Sequence, residues 1–200
     1  MTLTRPLILA ALMIAASCGS VCAQRRDRPP PPRDPQYYAP RNPLEEFESR
    51  VGTVLIKGHT YVGTVKAQGG NLRVEAMEIR DTGNSQRALG VVVTIMDAPN
   101  SPNDIRSLIP YEDIDSLIRA IDTAAKADEA ITKLTHFEVR YRTTGDFEVI
   151  VFKQLAGGVA VAVEGGFFER TRLLMTLEDL TKLRWMIAQA KDRLDEIKNY

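Results

Sequence analysis

The sequence predicts a single α+β domain over residues 44–200, an antiparallel sheet or sheets packed by two amphipathic helices. Three observations point there. Short runs rich in Val, Ile, Thr and Tyr alternate with Gly, Asn and Asp punctuation, which is the chemistry of strands and turns. Two segments, one after Pro110 and one after Thr176, carry apolar residues at spacings of three and four instead. Each helical segment follows a series of strands, so the order reads as four strands and a helix, twice.

Val51–Lys57 and Thr60–Ala67 read as strands around a Gly58-His59 turn. Asn71–Asp81 alternates Leu72, Val74 and Ala76 with Arg73 and Glu75, a period of two that buries one face and wets the other. Residues 81–85 form a turn, and the more uniformly apolar Ala88–Asp97 reads as an inner strand. Ala98–Ile109, with Pro99 and Pro102, reads as a loop. Pro110 suits the first turn of a helix, where a missing N–H costs nothing. Glu112 and Asp113 sit near the positive end of that helix dipole. Ile114, Leu117, Ile118, Ile121 and Ala125 make its apolar face, and the helix runs on or restarts toward Leu134.

In the second series, Phe137–Thr143 and Phe147–Gln154 flank the hairpin turn Thr144-Gly145-Asp146. Gly158–Glu164 and Arg170–Thr176 flank Gly165-Gly166. Thr176 and Asp179 fit a capping box, and Leu180, Leu183, Ile187, Ala190, Leu194 and Ile197 form the stripe of the last helix. The helices echo each other: residues 111–117 align with 177–183, and Ile121 with Ile187. Phe47-Glu-Ser-Arg50 echoes Phe137-Glu-Val-Arg140. Such echoes suit half-repeats over 44–134 and 135–200 related by a pseudo-twofold axis, although two helices sharing a common cap would look alike too. This order of β-β-β-β-α units is similar to that of the Pur-alpha and Whirly single-stranded nucleic-acid binders. The likeness is one of element order, and a shared fold does not carry function.

Upstream of the domain, Arg5, the apolar run Leu7–Ala16 and the small residues up to Ala23 have the layout of a secretory signal peptide over residues 1–23. The run is too short to span a bilayer, which takes about 20 apolar residues. Cleavage after Ala23 releases a soluble chain. The alternative is a degenerate lipobox at residues 15–18 with Cys18 as the lipidated residue, in which Ala15 stands where leucine is usual. Residues 24–43 are rich in proline and arginine and nearly free of aliphatics, a disordered linker with polyproline II character. Tyr37-Tyr38 is its one feature suited to docking. The only cysteines, Cys18 and Cys22, lie in the signal, so a cleaved domain has no disulfide. The net charge of zero divides into a basic linker and a domain with a balance of −4, a poor match for nucleic acid.

No nucleophile elbow, S-x-x-K, Walker loop or dinucleotide fingerprint occurs. His59 and His136 lack a second ligand at metal spacing, and no cofactor is expected. Carboxylates at helix starts are explained by the dipole. Arg140 and Arg142 alternate outward on one strand, as do Arg170 and Arg172 on another. If those strands lie close, the four arginines line one face suited to an anionic polymer. Phe137 and Tyr141 fall on the opposite face, so a solvated strand face is the better reading. Trp185 lies off the stripe of the last helix. With Met186 it marks a partner or homodimer contact, or else that helix is buried on two sides. The expected function is an exported, non-catalytic module binding an envelope protein or polymer. A motif-less hydrolase of envelope polymer and a single-stranded nucleic-acid binder are the alternatives.

Overall fold

A computed structural model of the protein describes residues 39–97, 104–127, 132, 134–155, 157–167 and 170–199. The expected signal segment, Cys18 and the linker through Tyr38 lie outside the described residues.

The fold opens with a short helix that sequence reading missed, α1 (Pro43–Glu48). Its cap is Asn42, whose side chain accepts from the N–H groups of Leu44 (3.0 Å) and Glu45 (2.9 Å). Pro43 follows at the first helical position, where proline is pre-organised. The Asn42 amide donates in turn to the carbonyl of Leu108 at 3.1 Å. Asn42 and Pro43, taken from composition as the linker's end, therefore belong to the folded unit.

Four antiparallel strands follow in sequential order: β1 (Leu55–Ala67), β2 (Gly70–Asp81), β3 (Arg87–Asp97) and β4 (Asp104–Pro110). Two expectations fail here. The Gly58-His59 turn does not form. β1 runs straight through, pairing Gly58 with Glu78 and His59 with Met77. β2 offers backbone partners along its whole length, and that ladder outweighs the weak strand preference of one glycine. The chain reverses at Gln68 and Gly69 instead, with Gly69 at φ +94°. The predicted loop 98–109 is also too long, because residues 104–110 form β4, pairing Ile105 with Ile95 and Ile109 with Val91. The two strands expected over 51–67 are one, and part of the expected loop is a strand, so the first sheet still has four.

Pro110 ends β4 in an extended conformation (ψ 151°) and caps α2 (Tyr111–Ala124) from outside rather than entering it. The helix closes at Ala125 instead of continuing toward Leu134, and residues 128–131 and 133 lie outside the described set. A second sheet follows, again in sequential order: β5 (Glu138–Arg142), β6 (Glu148–Lys153), β7 (Val159–Gly165) and β8 (Thr171–Met175). The expected hairpin turn 144–146 forms, with Asp146 at φ +59°. α3 (Leu177–Lys198) completes the chain. The Thr176 hydroxyl accepts from the Asp179 N–H at 3.1 Å and donates to its carboxylate at 2.7 Å.

One apolar core joins both sheets and both long helices, from Leu72, Val91 and Ile95 through Leu117 and Ile121 to Val149, Val163, Leu183 and Ile187. α1 seals a smaller cluster on the other face of the first sheet, laying Leu44 and Phe47 on Met77, Ile79, Val92 and Leu108. The sheets touch at their corners, where the Gln68 N–H donates to the Leu174 carbonyl at 2.7 Å. α2 and α3 begin at the two residues aligned in the helix echo, Tyr111 and Leu177. The Phe-Glu-x-Arg echo marks no equivalence, since Phe47 is helical and Phe137 enters a strand.

Candidate functional site

The second sheet turns Val149, Val151, Val161, Val163 and Leu173 into the core, so strand alternation sends their neighbours outward. Arg142, Glu148, Glu164 and Arg172 then stand in one row across all four strands. The four arginines expected from sequence do share this outer face. They stand along its two edges, however, and carboxylates occupy the middle.

Two glutamates directly opposite one another repel. Arg170 reaches both, pairing with Glu148 and lying 3.1 Å from Glu164. Arg140 lies 3.0 Å from Glu148 and 2.8 Å from Glu138, and these carboxylates hold its guanidinium above the usual arginine value, the Glu138 hydrogen bond foremost. Arg172 pairs with Glu164, and Arg142 with Asp146. Arg41, just before α1, also pairs with Asp146 and lies 5.2 Å from the Phe167 ring centroid. Glu148 is 1% exposed, and Asp146 and Glu164 are buried, while every one of these guanidiniums reaches solvent. The lattice is thus a cationic surface laid over buried anions. Its charges balance locally, which weakens the long-range pull on an anionic polymer. Sequence reasoning missed Glu148 and Glu164. Their outward phase on β6 and β7 was the available signal.

Phe137 and Tyr141 do face inward, but Phe152 on β6 pairs with Glu138 and shares the arginine face. Trp185 is 56% exposed on α3, so the helix is not buried on that side among the described residues. Met186 does not join it in solvent. It packs toward the core beside Gly63, whose missing Cβ leaves room for the Met186 Cε.

His59 sits exposed on β1 and His136 exposed ahead of β5, and neither has a hydrogen-bonding or ionic partner among the described residues. No group of three or more His, Cys, Asp or Glu side chains is arranged to hold a metal among those residues. A hydrolase of envelope polymer is favoured by a cleft with clustered carboxylates or by His59 and His136 in contact. The cross-strand pair Glu148 and Glu164 lies beneath guanidiniums rather than open to a cleft.

No protein-family model, curated protein or solved structure matches this chain.

Two further polar clusters hold the fold together. Asp81 accepts from the Thr53 hydroxyl (2.6 Å) and the Gly83 N–H (2.8 Å), and Arg50 lies 3.4 Å away. The Thr53 bond, then the Gly83 bond, hold its carboxyl below the usual range. Between α2 and α3, Tyr111 donates to Asp195, which also accepts from Lys191 at 2.8 Å. That bond to a carboxylate pushes the Tyr111 phenol up, while Lys191 and Tyr111 hold Asp195 down. A cavity of about 480 Å³ lies near the C-terminal end of α3, and its cations are engaged within the fold. Arg50 lies over the Phe47 ring at 4.0 Å and Lys198 over the Tyr111 ring at 3.9 Å.

The first sheet presents a different surface. β1 is its edge strand, and every residue from Ile56 to Tyr61 is exposed. Ile56 (57%) and Tyr61 (60%) are large apolar side chains left in water. Val51 and Val54 are exposed just before them. No helix among the described residues is long and apolar enough to cross a membrane.

Proposed function

We propose that the chain is exported and acts as a non-catalytic binding or assembly module of the cell envelope or exterior. Export is supported by the sequence of residues 1–23 and by the Pro/Arg tract behind it, which suits a spacer. Binding is supported by the structural observation that carries the reading: β1 is an edge strand among the described residues, exposed from Ile56 to Tyr61, and it leaves Ile56 and Tyr61, one on each face, in solvent. Such exposed apolar surface is characteristic of interaction sites. The arginine lattice fits this role less well, because buried carboxylates already engage its guanidiniums.

Intact mass and N-terminal sequencing of the native protein from fractionated cells test the export half. A chain starting at Gln24 makes it a free extracytoplasmic module. A diacylated or triacylated Cys18 makes it a membrane-tethered lipoprotein with the tract as its spacer. An uncleaved Met1 in the cytosol overturns the proposal. Titration with single-stranded DNA at low salt then separates the nucleic-acid alternative, for which binding must fall steeply as salt rises.

A further inference from the structure

A groove runs beside β1 between the first sheet and α3. One cavity of about 430 Å³ is lined by Gly58, Thr60 and Ala76 from the sheet and by Arg193, Leu194 and Ile197 from the helix. A second of about 360 Å³ adjoins it, lined by Tyr61, Val62, Gln189 and Asp192. Thr60, Arg193 and Glu196 line both, so the two are continuous. The floor is made of small residues. A Cβ on Gly58 would meet nothing within 4 Å, so open space lies directly above the strand.

We propose that this groove takes an extended, basic and apolar peptide segment of a partner protein, added to the first sheet as a fifth strand along β1. The proposal rests on the binding-module reading and names its partner. Three observations select this occupant. An edge strand directs half of its backbone N–H and C=O groups away from the sheet, a template for one more strand. The register shift between Tyr61 and Gly63 ends the regular edge, so the pairing stretch is Ile56–Tyr61. At about 3.3 Å per residue it holds roughly six residues of peptide. Strand alternation puts every second peptide side chain over Gly58 and Thr60 in the groove, where small apolar residues fit.

Charge selects the rest. Arg193 on the groove wall pairs with Glu196 at 3.1 Å and so compensates it. Asp192 has no hydrogen-bonding or ionic partner among the described residues, which leaves the wall with one uncompensated negative charge facing solvent. A lysine or arginine on the peptide satisfies it. Lys57, the one cation within the pairing stretch, is drawn toward Glu48 at 2.6 Å and does not guard the edge.

The test uses the full chain and two capped hexapeptides, Val-Thr-Val-Thr-Lys-Thr and Val-Thr-Val-Thr-Glu-Thr, in which the charged residue lies on the same, groove-facing side as the valines. The lysine peptide should bind and slow amide hydrogen exchange at residues 56–61, with the glutamate peptide at least tenfold weaker. Gly58→Val places its Cβ in open space and adds bulk over the groove, and it should weaken binding at least tenfold. Asp192→Lys, an exposed change, should invert the peptide preference. Circular dichroism checks that both variants fold. Several results would overturn the proposal: no binding of either peptide at 1 mM, binding indifferent to both substitutions, or protection on the arginine face of the second sheet. Concentration-dependent dimerisation that protects residues 56–61 would also overturn it, by assigning the edge to a second copy. Mislocalisation of the protein would sink the export half alone and leave these outcomes intact.

Discussion

A Cβ on Gly145 would collide with the carbonyl oxygen of Leu108, because the β5–β6 turn rests directly on the backbone of β4. Backbone cannot step aside as a flexible side chain can, so Gly145→Ala should cost on the order of 3 kcal/mol, the upper range of single-substitution effects. A urea midpoint unchanged within error would show that the two sheets do not meet there. Asp81 carries a pH prediction. Its folded pKa lies below the ordinary 3.8, so the unfolded chain binds more protons as the medium turns acid. Its stabilisation is therefore complete above about pH 4 and is lost as pH falls through the folded value. Asp81→Asn keeps an acceptor for Thr53 and removes the charge, so the thermal midpoint should fall less steeply with acid than in the parent. Parallel slopes would remove Asp81 from the acid response. At this scale the sequence was only half legible. Alternation correctly placed Arg140 and Arg142 outward. It could not show that Glu148 and Glu164 would stand between them and Arg172, because register is set by pairing across strands rather than along one.

Between elements, packing and charge can be weighed against each other where α3 meets α2. Arg184 donates two hydrogen bonds to Asp122, each 2.9 Å, but the pair is one-third to nearly half exposed. Water screens it, so Arg184→Lys should cost less than about 1 kcal/mol. Leu183 beside it is fully buried in the common core. Leu183→Ala should cost about 2–5 kcal/mol, the lost transfer energy plus a cavity. Chemical denaturation of both variants checks the order, and a larger loss from the arginine would mean that charge, not packing, clamps the helices. The helix cores were the most legible elements, because their three-and-four spacing is local. β1 and β4 were the least. Gly58 and His59 look like a turn until a long partner is supplied. The prolines at 99 and 102 drew the loop too far, over apolar residues that pair with β3. Asn42, Pro43 and Glu45 had the layout of a helix start, but the composition of the preceding tract hid it.

For the whole molecule, the decisive fact is that the core does not divide where the topology repeats. Four strands and a helix occur twice, yet Leu72 and Val91 from the first series share one apolar cluster with Val149 and Leu183 from the second. α3 follows the second sheet in sequence but packs chiefly on β1 and β2 of the first. A fragment of residues 135–200 would therefore expose the apolar stripe of α3 and the inner face of its own sheet. It should remain unfolded by circular dichroism. The parent chain should lose all structure in one transition, with calorimetric and van't Hoff enthalpies equal. Reductant should leave the midpoint of the cleaved form unchanged, since both cysteines lie within residues 1–23. Two resolved transitions, or a folded fragment, would mean that each half holds its own core. The repeated order would then reflect two separable domains, and the groove between β1 and α3 would become an interface between them.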